Sequence, residues 1–214
     1  MKSNENYVYV VLVKAHTGLG SIARAVTGYE YTHIAVCLEE PFSDFITFSR
    51  RRHYAPFDCG FMHENLECYA YGKHNRVKLK VFKVPTDDAG LVRIKSYIAD
   101  IEADSEYIFN LYSMATMPIL HGFKIYKALN CMSFVAKIIE MTGAVKLSRK
   151  YYRYSIKDMD RLLAGYLYKE EFFYKKSAQD GGYMKRVSPL INAGLFFRIN
   201  SKLIYRMIFR RFCD

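Results

Sequence analysis

Two residues of this 214-residue sequence, Cys131 and His33, have types and settings suited to nucleophilic chemistry. Asn130 precedes Cys131, while Phe134, Val135, Ile138 and Ile139 follow at i, i+3, i+4 spacing and Gly143 stands at the stop. The pattern predicts a helix that starts at Cys131 behind an Asn cap. A cysteine in a first helical turn meets unpaired amides and the positive end of the helix dipole, and both favour thiolate over thiol. A cysteine on an apolar helix can equally be a small core residue. The cap, the tight start and a partner imidazole are what set Cys131 apart.

A thiolate nucleophile needs an imidazole to take and return its proton, and that ring needs a third group to fix its tautomer. His33 is the best placed of the six histidines. It stands at the start of a predicted strand whose neighbours Ile34 and Val36 hold the backbone, whereas His53, His63 and His74 fall in polar loops and His121 in a glycine-containing turn. The chemistry implied is acyl transfer. The oxyanion would be met by the Cys131 amide and one further donor.

The elements that must position this pair are legible in outline. Residues 7–13 are β-branched and aromatic, as in a strand buried on both faces. Residues 22–26 predict a short helix between the 16–20 turn and Gly28, and residues 32–38 a strand that closes in a turn at 39–41. Strands are also predicted at 44–49, 66–71 and 77–84, with a loop from 50 to 64. A helix start at 85–88 leads into Leu91, Ile94, Ile98 and Ile101 at helical spacing. After the cysteine helix, 151–154 reads as a short strand or extended segment and Ser155 to Asp158 as a capping box opening a helix to about 163. The sum is an α+β fold, an antiparallel sheet of about five or six strands with the cysteine helix packed on it. Tyr9 and Tyr31 read as core rather than site.

With 51% apolar residues and 25% charged, the chain has the composition of one ordinary globular domain. Its net charge of +11 favours contact with polyanions without naming one. The five cysteines are odd in number and show neither a Cys-x-x-Cys pair nor zinc spacing, which suits a reduced compartment and predicts no metal. Lys14 and His16 interrupt the apolar run at 7–13, so no leader pattern forms, and no apolar run approaches the roughly 20 residues of a spanning helix. A cytoplasmic location is expected.

Thr32-His-Ile-Ala-Val36, followed about a hundred residues later by Asn130-Cys-Met-Ser-Phe-Val-Ala136, resembles the NlpC-type papain-like superfamily. The resemblance is to its circularly permuted branch, which includes YiiX-like proteins and lecithin:retinol acyltransferase relatives. There the histidine strand precedes the cysteine helix, the reverse of ordinary papain-like order. Phe48-Ser49-Arg50 and Gly60-Phe-Met-His-Glu64 also resemble segments of bacterial members, so the likeness spans residues 7 to 165. It departs at Met132 and Ser133, where members commonly carry Ser then Glu or Gln, and at Cys59, where they carry glycine.

The resemblance implies a papain-like fold, Cys131 as nucleophile, His33 as general base, and a third member between them in sequence. It favours Glu64 for that place, with Ser49 and Glu67 as alternatives. It also implies no cofactor, and a peptide, isopeptide, cell-wall-type amide or acyl lipid as substrate.

Residues 181–214 read as a basic extension to a domain at 1–180. From Lys202, the residues Lys202, Arg206 and Arg210 fall on one helical face and Leu203, Ile204, Met207, Ile208 and Phe212 on the other. This pattern fits a terminal helix packed on the domain by its apolar face, or an interfacial helix on an anionic membrane. Nucleic acid fits less well, because no recognition motif accompanies the charge. Two rivals to a hydrolase follow: a membrane-associated acyltransferase or lipid hydrolase using the same dyad, and a catalytically silent papain-like binding module. Oligomeric state is not encoded in any feature of the sequence.

Overall fold

A computed structural model describes residues 6–16, 18–40, 42–71, 74–175 and 182–210. The expected turns at Thr17 and Pro41, the boundary at residue 180, and the terminal Arg211, Phe212 and Cys213 lie outside those residues.

The alternation of apolar side chains in β1 (Asn6–Val13) organises the core. Val8, Val10 and Leu12 enter one hydrophobic cluster, and Tyr9, Val11 and Val13 enter a second. A strand so covered on both faces belongs in the middle of a sheet. It pairs antiparallel with β2 (His33–Cys37) on one side and with β5 (Arg76–Thr86) on the other. Beyond β2 lie β3 (Phe45–Arg50) and β4 (Cys59–Glu64), and beyond β5 lies β8 (Leu167–Tyr174). Among the described residues the sheet is six-stranded and antiparallel throughout, in the order β4-β3-β2-β1-β5-β8.

Helices add their residues to the first cluster. α1 (Gly18–Thr27) follows β1, and α2 (Asp88–Ala103) starts behind the Asp87 side chain, which accepts from the Gly90 amide at 2.6 Å. Ile94, Ile98 and Ile101 of α2 face the core. Two short strands, β6 (Ile108–Phe109) and β7 (Ala128–Leu129), pair in parallel and enclose α3 (Leu111–Ala115) and α4 (Met117–Leu120). α5 (Cys131–Met141) follows β7 directly and is buried at eight positions, against β2, β3 and α2. α6 (Ile156–Leu162) opens with the expected Ser155 and Asp158 capping box. α7 (Pro189–Phe209) closes the described chain and contributes Ile199 and Leu203 to the first cluster. No helix among the described residues is long and apolar enough to cross a membrane.

Two expected strands are not strands. Residues 66–71 begin with a 3-10 turn (Leu66–Cys68), because the Asn65 side chain accepts from the amides of Glu67 and Cys68 at 3.0 and 3.3 Å and so competes with pairing. The pairing falls instead to β4, inside the expected loop, where the Phe48 and Phe61 rings meet across the ladder at 5.8 Å. Residues 151–153 likewise form a 3-10 turn. The sixth strand is β8, whose half-exposed, charge-rich sequence hides its role. Glu170 from β8 reaches Lys78 and Lys80 of β5 at 3.4 and 3.5 Å.

Candidate active site

Cys131 is held by the way its helix begins. The Asn130 side chain accepts from the Ser133 amide at 2.8 Å, and the Ser133 hydroxyl accepts from the Asn130 amide at 2.9 Å, a reciprocal capping box. Ser133, a departure from the resembled family, is therefore a capping residue. Upstream, the Asn110 amide donates to the Leu129 carbonyl at 2.9 Å and extends the β6–β7 pairing up to the cap. The amides of Cys131 and Met132 open the helix, where no intrahelical carbonyl can serve them.

His33 is the first residue of β2, opposite Val13 of β1. Its Nε2 lies 2.8 Å from Oε2 of Glu64, the last residue of β4, and Cys131 is near enough to the ring to help raise its pKa. With Nε2 engaged by Glu64, the nitrogen left for Cys131 is Nδ1. Burial pulls the ring's pKa down, but the charge of Glu64 and the hydrogen bonds with Cys131 and Glu64 outweigh it, raising the value to about 10.

Glu64 is buried and multiply bonded. The Tyr69 hydroxyl donates to the same Oε2 at 2.6 Å, and Ser49 is near enough to help lower the carboxyl's pKa. Burial alone would raise its pKa, yet His33, Tyr69 and Ser49 hold it below the ordinary carboxylate value. Of the three residues considered for the third place, Glu64 meets the imidazole. Ser49 supports Glu64, and Glu67 forms the 3-10 turn with its amide on Asn65.

The other histidines and thiols are arranged differently. His63 lies in β4 rather than a loop, with Nδ1 2.8 Å from Asp44. Cys37, Cys59 and Cys68 carry no disulfide, and burial pushes the thiols of Cys59 and Cys68 up to about 12 and about 11 and that of Cys37 higher still. Tyr31 packs in the first cluster and Tyr9 against Phe42 in the second, as core residues do.

Tyr69 is the site residue that sequence reasoning missed. It falls in a segment that reads as strand, and its role depends on the 3-10 turn that bends the chain back five residues after Glu64. The Tyr183 hydroxyl was also missed. It lies 3.4 Å from the Arg50 guanidinium, and burial raises its pKa, with a smaller push from the charge of Glu64.

The fold is thus a mixed α+β one in which β2 and β4 pair His33 with Glu64, and a buried helix begins at Cys131. Comparison with protein-family models, with curated proteins and with solved structures finds no match to this chain.

Proposed function

We propose that this protein is a thiol hydrolase of the permuted papain-like kind, cleaving an amide, isopeptide or ester bond through an acyl-enzyme on Cys131. The observation that carries the reading is the 2.8 Å pairing of His33 with the buried Glu64, with Cys131 at the start of α5 near enough to the ring to help raise its pKa. The Cys131 proton resides on His33 before the attack, the sulfur adds to the carbonyl carbon, and the imidazolium gives that proton to the departing amine or alkoxide, which leaves the ring neutral. Water then enters, deprotonated by His33, and releases the acid and the free thiol. Glu64 stabilises the imidazolium and fixes the ring, and its buried negative charge is what makes the ring so ready an acceptor. The Cys131 amide, at the open start of α5, is the donor proposed for the developing oxyanion.

The test is covalent trapping with an activated ester. After p-nitrophenyl acetate, peptide mapping should find the acetyl group on Cys131 of the wild type, and none on Cys131 in His33→Ala. Acetylation of lysines alone in both proteins would remove this reading.

A further inference from the structure

The faces of α7 divide differently from the expected split. Its packed side carries Ile199, Leu203 and the cation Arg206, all buried. The guanidinium of Arg206 donates to the carbonyls of Tyr126, Lys127 and Glu106 at 3.1, 3.0 and 2.6 Å. The expected split, with Arg206 on a free cationic face and Leu203 beside Ile204, is therefore overturned, because three inward-facing carbonyls outbid water for that arginine. The outward side carries Leu190, Phe197, Ile204 and Ile208, spaced to form one stripe, with exposures of 85%, 66%, 49% and 64%. Tyr205 and Phe209 extend it and are also exposed.

The helix is not free to roll this stripe inward. The Asn192 amide donates to the Tyr54 carbonyl at 3.0 Å, the Phe196 ring meets Phe57 at 4.9 Å, and the Tyr112 hydroxyl donates to Asn200 at 2.6 Å. With Arg206 these contacts fix one orientation from end to end. An exposed apolar stripe of this kind marks an interaction surface.

Charge selects the occupant. Residues 182–210 contain six lysines and arginines and no aspartate or glutamate. Arg198 and Lys202 lie along one flank of the stripe, and Lys185 and Arg186 precede the helix and are exposed. A second copy of the chain would set these cations against each other. A nucleic acid would leave Phe197, Ile204 and Ile208 uncovered. We infer that α7 docks the protein on an anionic lipid surface, lying in the interfacial plane with its apolar stripe among the acyl chains and its flanking cations on the headgroups. The inference is independent of the reaction at Cys131.

Sedimentation of the full chain with phosphatidylcholine vesicles, with and without phosphatidylserine, tests it. Retention should be strong only on the anionic vesicles and should fall as salt rises. Ile204→Glu with Ile208→Glu should lower it at least tenfold, and Arg198→Glu with Lys202→Glu should reduce it to the neutral-vesicle level. Val92→Glu, an exposed apolar position on α2, should leave it unchanged, as should Cys131→Ser. The docking account is overturned if the wild type is not retained, if the α7 substitutions do not lower retention, or if they split a dimer that does not bind vesicles.

Discussion

Oε2 of Glu64 stands 2.8 Å from Nε2 of His33, with the carboxylate side chain 2% exposed and the ring 12%. A buried charge pair of this kind is strongly coupled, and removing one partner leaves the other uncompensated. Glu64→Ala is therefore expected to destabilise the fold by about 3 to 5 kcal/mol, read from the urea midpoint. Glu64→Gln keeps the volume and loses the charge. It should cost less stability than Glu64→Ala, because the ring can become neutral beside it, while slowing acylation of Cys131 by an ester probe on the order of 10²- to 10⁴-fold. An isosteric variant within twofold of wild type would take Glu64 out of the proposed mechanism.

The same pair sets a pH dependence of stability. The folded pKa of His33 is raised, so its contribution is fully present below the unfolded value near 6.5 and drains away as pH rises towards about 10. Glu64 is held below 4.5, so its contribution is present above that value and is lost as pH falls through the lowered one. Thermal melts should give a maximum between about pH 4.5 and 6.5 and a decline on the alkaline side. Glu64→Gln should flatten that alkaline decline. A wild-type profile that stays level from neutral pH to 10 would contradict the pairing.

Tyr69 donates to Glu64, and in the proposed mechanism it acts through that carboxylate as a positioning residue. Tyr69→Phe removes the 2.6 Å donor but keeps the ring that packs edge-on to Phe45 at 5.4 Å. Loss of one donor to a buried carboxylate costs about 1.5 to 3 kcal/mol. A purely structural role would stop there. A positioning role would also move the pH profile of Cys131 acylation, because a carboxylate with fewer donors binds its proton more readily.

Arg206 supports the site from a distance. Its guanidinium bridges carbonyls at Glu106, Tyr126 and Lys127, next to the β6–β7 pairing that leads into Cys131. Arg206→Met leaves those carbonyls without a donor and should cost about 2 to 4 kcal/mol, with hydrogen exchange rising first at residues 108, 110 and 128. Exchange unchanged at those amides would mean that the bridge does not brace the helix start.

Local signals carried much of this architecture. The Asn130 cap, the apolar period after Cys131 and the Gly143 stop describe α5 as it stands, because each acts within a few residues. The double burial of β1 was legible for the same reason. Glu64 came forward through the family resemblance rather than from its own surroundings, which contain a glycine, a histidine and an asparagine and read as loop. What hid β4 is that its strand character lies in a partner, the Phe48 ring across the ladder. Tyr69 was hidden by a turn that the Asn65 side chain creates. The facing of α7 depends on carbonyls about 80 to 100 residues away from Arg206, and no periodicity in the helix can announce them.

The central claim is that Cys131 and His33 form a working thiol–imidazole pair, and site-resolved iodoacetamide alkylation across pH tests it most directly. In the wild type, Cys131 should be alkylated well below pH 8 and faster than Cys59 and Cys68, whose thiols burial disfavours as thiolates. In His33→Ala that advantage should disappear. If Cys131 instead reacts no faster than those two thiols, or keeps its rate without His33, the pair does no chemistry and the fold is a binding module.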